Sequence, residues 1–567
     1  IQNHANGALA DFRRILVCRL AHDAPSYSGV GASGKPGAVH SLVNHVMAAA
    51  GAAPNVNCLA DLVATAVRRA PNTVAIEHDR GTISYGAFWQ RVQKCANALI
   101  GLDLPRGARV AIFAYNSPEY LQLYLALQLS GLVVVPVNYR LSSEELRFVL
   151  DDSGAKALFI DGTLVPLLNE RRSAIDIADD RIVVLGETDS PNAYNRFIDH
   201  ASDSPVALRS TPLSPAAIFY TSGTTGFPKG AVLSHLAILT RFSSWGWRFG
   251  LTEEDTTFVP GPIFHQSFGS IALVSLCVGA RVVLRSEFRG DQAIEDFRKY
   301  RVTWSFLVPN MISTLLEQNP GGGVLAGFET LRGIMSSGSR LPTPLIDGFE
   351  AAFPRASLSD AYGWTESGWI TYCRHEDMMR TGRSLGQASF GCRLSIRNDA
   401  GEEMSAGEAG QVYACNPVPF LGYHGKPDAT AAMRQGPWET GGDVGYIDEE
   451  GFLHLLDRKR DLIISGGENI YPAEIERVLA EHPEVLEVAV VGVPDPKWGE
   501  HPRACIVPRD GASISVDSIT AFCAGRLAKY KFPKSIHTLE MLPRNSMGKV
   551  LRRTLREQFW EEGKEKT

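Results

Sequence analysis

From Cys58 onward, apolar residues fall alternately into short unbroken runs and longer stretches at helical spacing, and this alternation predicts a mixed α/β protein. Leu59 to Arg69 carries its apolar positions at helical spacing. Val74-Ala75-Ile76 followed by Thr82-Ile83-Ser84 predicts a hairpin turning at Asp79-Arg80-Gly81. Val110-Ala111-Ile112-Phe113 has the length and continuity of a buried strand. Behind it, Ser117-Pro118-Glu119 reads as a helix start, with serine as the cap and proline at the first helical position, where its missing N–H is no loss. That helix should run to about Ser130, ahead of another buried strand from Val133 to Val137. Strand–helix–strand order continues through Leu307, so the expected fold is α/β: a large N-terminal domain of largely parallel sheets flanked by helices.

The texture changes beyond Asp457. Asp457-Arg458-Lys459-Arg460-Asp461 is too charged for a core and suits a linker. After it come a predicted helix (Ala473 to Ala480), a strand (Glu487 to Val491) and a charged tail, enough for a small α+β C-terminal domain. The expected plan is a large domain over 47–457, a hinge at 458–460 and a small domain over 461–567. Residues 1–46 lack sustained periodicity and hold a Ser/Gly/Pro-rich run from Ser26 to Gly37. They are expected to be a disordered or non-native extension, with the working protein beginning near Met47.

Composition narrows the class. The chain of 567 residues exceeds what one core sustains. Its 56 Lys and Arg against 62 Asp and Glu give a net charge of −6, which excludes the global basic signature of a nucleic-acid binder. Nine cysteines without a Cys-x-x-Cys pair argue against a disulfide framework or a structural zinc. The apolar stretch from Ile271 to Leu284 is interrupted by Arg281 and is too short to span a bilayer. A cytoplasmic enzyme without a transmembrane segment is the expectation.

The candidate chemistry concentrates first in Tyr220-Thr221-Ser222-Gly223-Thr224-Thr225-Gly226-Phe227-Pro228-Lys229-Gly230, directly after the apolar run Ala216 to Phe219. Hydroxyl donors, backbone amides freed by glycine and one ammonium together suit a polyphosphate. The segment is not a P-loop, because Pro228 separates the glycine from the lysine. Further on, Asp360-Ala361-Tyr362-Gly363-Trp364-Thr365-Glu366 offers an aromatic face on which a base can stack and a carboxylate suited to Mg²⁺. Trp438 to Asp443 and Asp457-Arg458 offer a carboxylate and a guanidinium for ribose hydroxyls. Taken singly, each of these also fits an ordinary turn, strand end or surface ion pair.

Taken in order, the segments resemble the acyl-adenylate-forming superfamily, the AMP-dependent synthetases and ligases, and within it the acyl-CoA synthetase branch. Further matches are Pro262-Ile263-Phe264-His265, Gly422-Tyr423, the block from Arg458 through Gly466-Gly467 to Glu476, and Pro543 to Lys549. The resemblance covers about residues 58 to 555 and implies a mobile small domain and the use of ATP, Mg²⁺ and CoA. By that resemblance, Thr221, Ser222, Gly223, Thr224, Thr225, Gly226 and Lys229 would cradle the β- and γ-phosphates. Gly338, Ser339, Asp360, Ala361, Tyr362 and Gly363 would border the adenine. Thr365 would meet the α-phosphate, Glu366 with Thr221 would hold Mg²⁺, and Asp443 and Arg458 would hold the ribose. Lys549 would bridge the attacking carboxylate and ATP, with Arg460 as the pivot between half-reactions. Gly466 and Gly467 would leave room for a pantetheine arm, while Trp498 and Lys534 would meet CoA or serve only in surface packing. Three departures stand out: the loop Ser336 to Leu341, with Arg340 as a solvated charge or a contact near the acyl or nucleotide pocket, replaces the usual Gly-Gly-Ala-Pro-Leu, Gly441 replaces a threonine, and Phe532 replaces an arginine found in at least one CoA ligase.

The expected activity is an acid–CoA ligase, forming acyl-AMP and then a thioester. The alternative is an adenylating enzyme that loads the pantetheine of a carrier protein. His265 aligns with a histidine that gates the acyl pocket, and Trp364 argues for a limited or aromatic pocket. Medium- or long-chain fatty acids and aromatic acids both remain open. Small-molecule acid, ATP and CoA are the expected partners, with no nucleic acid.

Overall fold

The computed structural model describes residues 58–564, apart from the short internal segments 208, 222–227, 320–322, 339–340, 382–383, 459–460, 462, 466–467, 496–497, 525, 528 and 545–549. The expected extension over 1–46 lies outside the described residues.

Two parallel-rich sheets dominate the N-terminal part. One has seven strands and the other nine, and in each the antiparallel pairings fall at the sheet's ends. Val110–Phe113 is buried within the strand Arg109–Phe113, as its unbroken apolar run requires, and pairs in parallel with Val133–Pro136 and Ala157–Asp161. Between these strands in sequence, the helix Pro118–Ser130 starts as expected: the Ser117 side chain accepts from the Tyr120 N–H, and proline occupies the first turn. All of its residues except Glu119 are buried, and a helix apolar on every side belongs inside a core. The hairpin predicted around Asp79-Arg80-Gly81 forms between Val74–His78 and Gly81–Ser84.

Several elements carry the candidate site. Strand β1 (Pro215–Thr221) and strand β2 (Lys229–Ser234) pair antiparallel, which brings the two ends of the glycine- and hydroxyl-rich segment side by side. Ser234 caps helix α1 (His235–Phe249) by accepting from the Ala237 N–H, and His265 caps helix α2 (Gln266–Val278) by accepting from the Ser267 N–H. Strand β3 (Ser357–Trp364) and strand β4 (Gly368–Cys373) form a hairpin at one end of the nine-stranded sheet. A third sheet of six strands contains β5 (Asp443–Ile447) and β6 (Leu453–Arg458), paired antiparallel.

The C-terminal part has its own five-stranded, mostly antiparallel sheet and its own apolar core around Ile463, Ile475 and Ile506. Its predicted helix runs Pro472–Leu479, and its predicted strand is the middle of the longer Val485–Asp495. The fold is therefore the expected one, a large domain of mixed, mostly parallel sheets and helices followed by a small domain built on an antiparallel sheet. Among the described residues no helix is long and apolar enough to cross a membrane.

Candidate active site

The pairing of β1 with β2 fixes the ends of the phosphate-type segment. The Thr221 hydroxyl donates to the Lys229 carbonyl at 3.4 Å, closing the neck of the segment. Tyr220 and Lys426 both bind Asp152, at 2.8 and 2.7 Å, which ties β1 to the chain just after Tyr423. Ser222, Gly223, Thr224, Thr225 and Gly226 lie outside the described residues, as do Ser339, Arg340, Arg460, Gly466, Gly467 and Lys549.

Lys229, on β2, places its ammonium 5.4 Å from the centre of the Tyr423 ring, a cation–π contact. The Tyr423 hydroxyl in turn donates to Glu366 Oε1 at 2.5 Å. Tyr423 thus bridges the candidate phosphate lysine and the candidate metal carboxylate. Glu366 is 5% exposed, and burying a carboxylate is costly unless charge or donors compensate. Part of the compensation is Arg241 on α1, which donates to the Thr365 and Glu366 carbonyls at 3.4 and 2.5 Å. Burial lowers the Arg241 pKa to about 10, opposed by the nearby Glu439 and Glu366 carboxylates, so it remains a cation at neutral pH. The surface it exposes faces a cavity rather than bulk water.

On the other side of β3, the Tyr362 hydroxyl donates to Asp443 Oδ2 at 2.5 Å. Asp443, 4% exposed, sits directly opposite Arg458 in the β5–β6 register. Tyr362 and Asp443, two of the groups that the sequence suggests for a nucleoside, therefore meet across 81 residues of sequence, with the Arg458 backbone paired opposite Asp443. Gly338 closes the strand Gly333–Ser337 with φ at +94°, a conformation that a side chain would resist. Asp360 and Ala361 lie on β3 beside Ser336 and Ser337, and Gly363 packs so closely on the Gly368 carbonyl that no Cβ fits there.

A cavity of about 480 Å³ opens beside these residues, within the usual range for a small-molecule site. His265, Thr365, Gly338, Ala361 and Gly363 line it together with Trp364, Trp369, Gln266 and Ser267. Burial lowers the His265 pKa to about 4; its Nδ1 accepts from the Ser267 N–H, which puts the proton of the neutral ring on Nε2. Phe268, next along the helix, is instead 1% exposed and packed edge-on against Phe306.

Sequence reasoning passed over two contributors. Tyr423 is visible as part of a motif, but its bridging place depends on β2 pairing with Gly422–Tyr423 across almost 200 residues. Arg241 gives no sequence signal, since one arginine on an amphipathic helix normally faces water. The Gly441 departure has a local cause: a Cβ there would come within 2.9 Å of the Trp364 ring, so glycine makes room for the indole. In the C-terminal part, Trp498 and Lys534 do come together. The Lys534 ammonium lies 5.1 Å from the Trp498 ring centre and 3.7 Å from Asp495, and Trp498 is 42% exposed.

The donor set fits a nucleoside triphosphate with a hard divalent cation. Glu366 has one oxygen engaged by Tyr423, and its other oxygen accepts no hydrogen bond among the described residues; a lone carboxylate sharing the ion with phosphate oxygens is the usual way Mg²⁺ is held.

The comparisons with known proteins agree with this geometry. The family model for the AMP-binding enzyme matches residues 63–424, and that for the AMP-binding enzyme C-terminal domain matches residues 474–549. The chain is 34% identical over 519 residues to a fatty acid–[acyl-carrier-protein] ligase of Streptomyces coeruleorubidus, covering 89% of this chain and 97% of that protein. It is also 34% identical over 496 residues to a feruloyl-CoA synthase of an Amycolatopsis species, covering 87% and 97%. Among solved structures, an o-succinylbenzoate coenzyme A synthetase of Bacillus subtilis in complex with ATP and magnesium superposes with a TM-score of 0.78 at 30% identity, covering 87% of this chain and 98% of that one.

Proposed function

The chain belongs to the AMP-binding enzyme family and is an ATP-dependent acid–thiol ligase, and from that premise we propose that it joins a carboxylic acid to CoA in two half-reactions. In the first, a carboxylate oxygen attacks the α-phosphorus of ATP, the bond to the β-phosphate breaks, and pyrophosphate leaves. In the second, the CoA thiolate attacks the acyl carbon, the carbon–oxygen bond to AMP breaks, and a thioester and AMP are released.

The reading rests above all on the Lys229–Tyr423–Glu366 chain, next to Thr365 and Ser367 of the cavity wall. Two anions must approach one another, so compensating charge has to be in place beforehand. Lys229 and the Thr221 to Gly226 loop hold the departing phosphates, and Thr365 meets the α-phosphate. Glu366, with Thr221, would hold Mg²⁺, which supplies charge neutralisation between phosphate oxygens. Tyr423 restrains the Glu366 carboxylate, and Arg241 restrains the carbonyls of Thr365 and Glu366. Tyr362 with Gly338, Ser339, Asp360, Ala361 and Gly363 borders the adenine, while Asp443 and Arg458 hold the ribose. His265, neutral above about pH 5, offers its Nε2–H as a donor at the acyl cavity.

For the thioester step, Gly466 and Gly467 leave room for the pantetheine arm, and Trp498 and Lys534 offer an aromatic face and a cation to the CoA nucleotide. A carrier-protein pantetheine is the second reading, favoured by the Streptomyces relative and by Phe532 in place of an arginine found in at least one CoA ligase. The deciding experiment measures AMP, pyrophosphate and thioester across a panel of fatty and aromatic acids, with and without CoA. Thioester that depends on CoA is the expected result. Adenylate formation without CoA turnover would favour the carrier protein, and neither product would overturn both.

A further inference from the structure

The residues that line the cavity combine aromatic walls with buried polar atoms that have no partner among the described residues. Trp245, Phe249, Phe306, Trp369 and Tyr372 supply the walls. Trp245 meets Trp369 at 5.4 Å and 73°, Phe306 lies nearly parallel to Trp369 at 5.9 Å and 28°, and Phe249 meets Tyr372 at 5.5 Å and 71°. Flat faces and edges at these separations suit a planar ring better than a coiling alkyl chain.

The polar atoms are more discriminating. Trp245 Nε1, Trp364 Nε1, Gln266 Nε2, Arg241 Nε, Asn416 Nδ2 and Thr371 Oγ1 are all buried without a hydrogen-bond partner among the described residues, and all six belong to residues that line this cavity. Every one can donate, and two are indoles, which cannot accept at all. Donors left unsatisfied beside an alkyl chain would carry a desolvation penalty that an accepting oxygen removes.

Their order along α1 adds direction. Arg241, Trp245 and Arg248 are spaced i, i+4 and i+7, which places them in one stripe about 10 Å long. Arg241 stands at the Thr365–Glu366 end. Arg248 stands at the Tyr372 end, 4.3 Å from that ring's centre, and makes no ion pair among the described residues. Of the other charged residues that line the cavity, Arg374 pairs with Glu376 and Asp377 with Arg380. The cavity thus runs from the proposed reacting centre past an indole donor to a guanidinium that rests on Tyr372 and has no carboxylate partner among the described residues.

Resting on the ligase reading above, we propose that the acid is an aromatic carboxylic acid bearing an accepting oxygen (a carbonyl, a methoxyl or a second carboxylate) remote from the reacting carboxyl, and that Trp245, Gln266 and Arg248 select for it. The test compares kcat/KM for CoA-thioester formation from 3-phenylpropenoic acid, its ring-methoxylated and ring-carboxylated forms, and nonanoic acid of equal carbon number. An oxygenated acid should exceed both the bare ring and the alkyl acid by about tenfold or more, because a site built to hydrogen-bond rejects the analogue that lacks the group. Trp245→Phe and Gln266→Leu should bring the methoxyl-to-bare ratio toward one, and Arg248→Met should do so most for the carboxylated acid. Purely structural residues would lower all the acids alike and leave the ratios intact, which would overturn the assignment. Faster turnover of nonanoic acid or of the bare ring would overturn the substrate class while leaving the ligase reading standing. If no acid in a broad panel releases pyrophosphate, the ligase reading falls and this proposal falls with it.

Discussion

Two buried histidines make acid sensitivity a property of single residues. His235, 1% exposed at the start of α1, has neither ring nitrogen hydrogen-bonded among the described residues, and burial lowers its pKa to about 4. His265 is lowered to about 4 by the same cause, its remaining surface turned to the cavity. A depressed folded-state pKa means that the unfolded chain binds the proton first. Stability from these groups is therefore complete above about pH 6.5, is lost as pH falls toward 4, and changes no further below that. From pH 7 to pH 5 the loss is roughly 2 kcal/mol for each histidine. His235→Leu should narrow the difference in unfolding free energy between pH 7 and pH 5 by about that amount, whatever it does to stability at either pH alone. Chemical denaturation at the two pH values measures it; an unchanged difference would mean that His235 protonates freely in the folded protein.

At the scale of elements, the end of β3 and the loop entering β5 are built against one another. Trp364 ends β3 in the position its motif predicts, and Gly441 yields the space its ring occupies. Because the same loop leads into Asp443, which Tyr362 binds from two residues before Trp364, displacing the indole strains both candidate nucleoside contacts. Gly441→Thr should therefore lower kcat/KM by about tenfold or more, and the loss should be smaller when Trp364→Ala is also present, with a coupling of about 1 kcal/mol in a double-mutant cycle. Equal costs in the two backgrounds would show that the contact is incidental. This pair also marks where sequence reading stops. The Ser117-Pro118 helix start, the hairpin at Asp79-Arg80-Gly81 and the buried strands are local, so composition and spacing expose them. The Trp364–Gly441, Tyr362–Asp443 and Tyr423–Glu366 contacts join elements 57 to 81 residues apart in sequence. Only the family motif order hinted that such segments meet, and it did so without saying which atoms touch. Arg241 shows the limit most plainly, since its cavity-facing place follows from how α1 packs on the β3–β4 hairpin.

For the whole molecule, the two half-reactions make opposite demands on one site. Adenylate formation needs cations against two anions, whereas thioester formation needs an open approach for a neutral or singly charged thiol and a leaving AMP. The large domain carries the Lys229–Tyr423–Glu366 chain, and the small domain has its own sheet and core and carries Lys549 in the second matched family segment. If Lys549 supplies charge only to the first half-reaction, the steps become separable by one substitution. Lys549→Ala should lower pyrophosphate release from acid and ATP by on the order of 10²–10³, the usual cost of removing one preorganised group at a developing charge. Thioester formation from CoA and supplied acyl-adenylate should stay near the wild-type rate, because that step begins after the phosphate charge has left. Lys229→Ala, in contrast, should impair the first step without sparing any later use of the β2 end, and comparing the two variants distinguishes a shuttled charge from a resident one. Equal loss of both half-reactions in Lys549→Ala would assign that lysine to folding or to both steps, and would remove the division of labour between the domains.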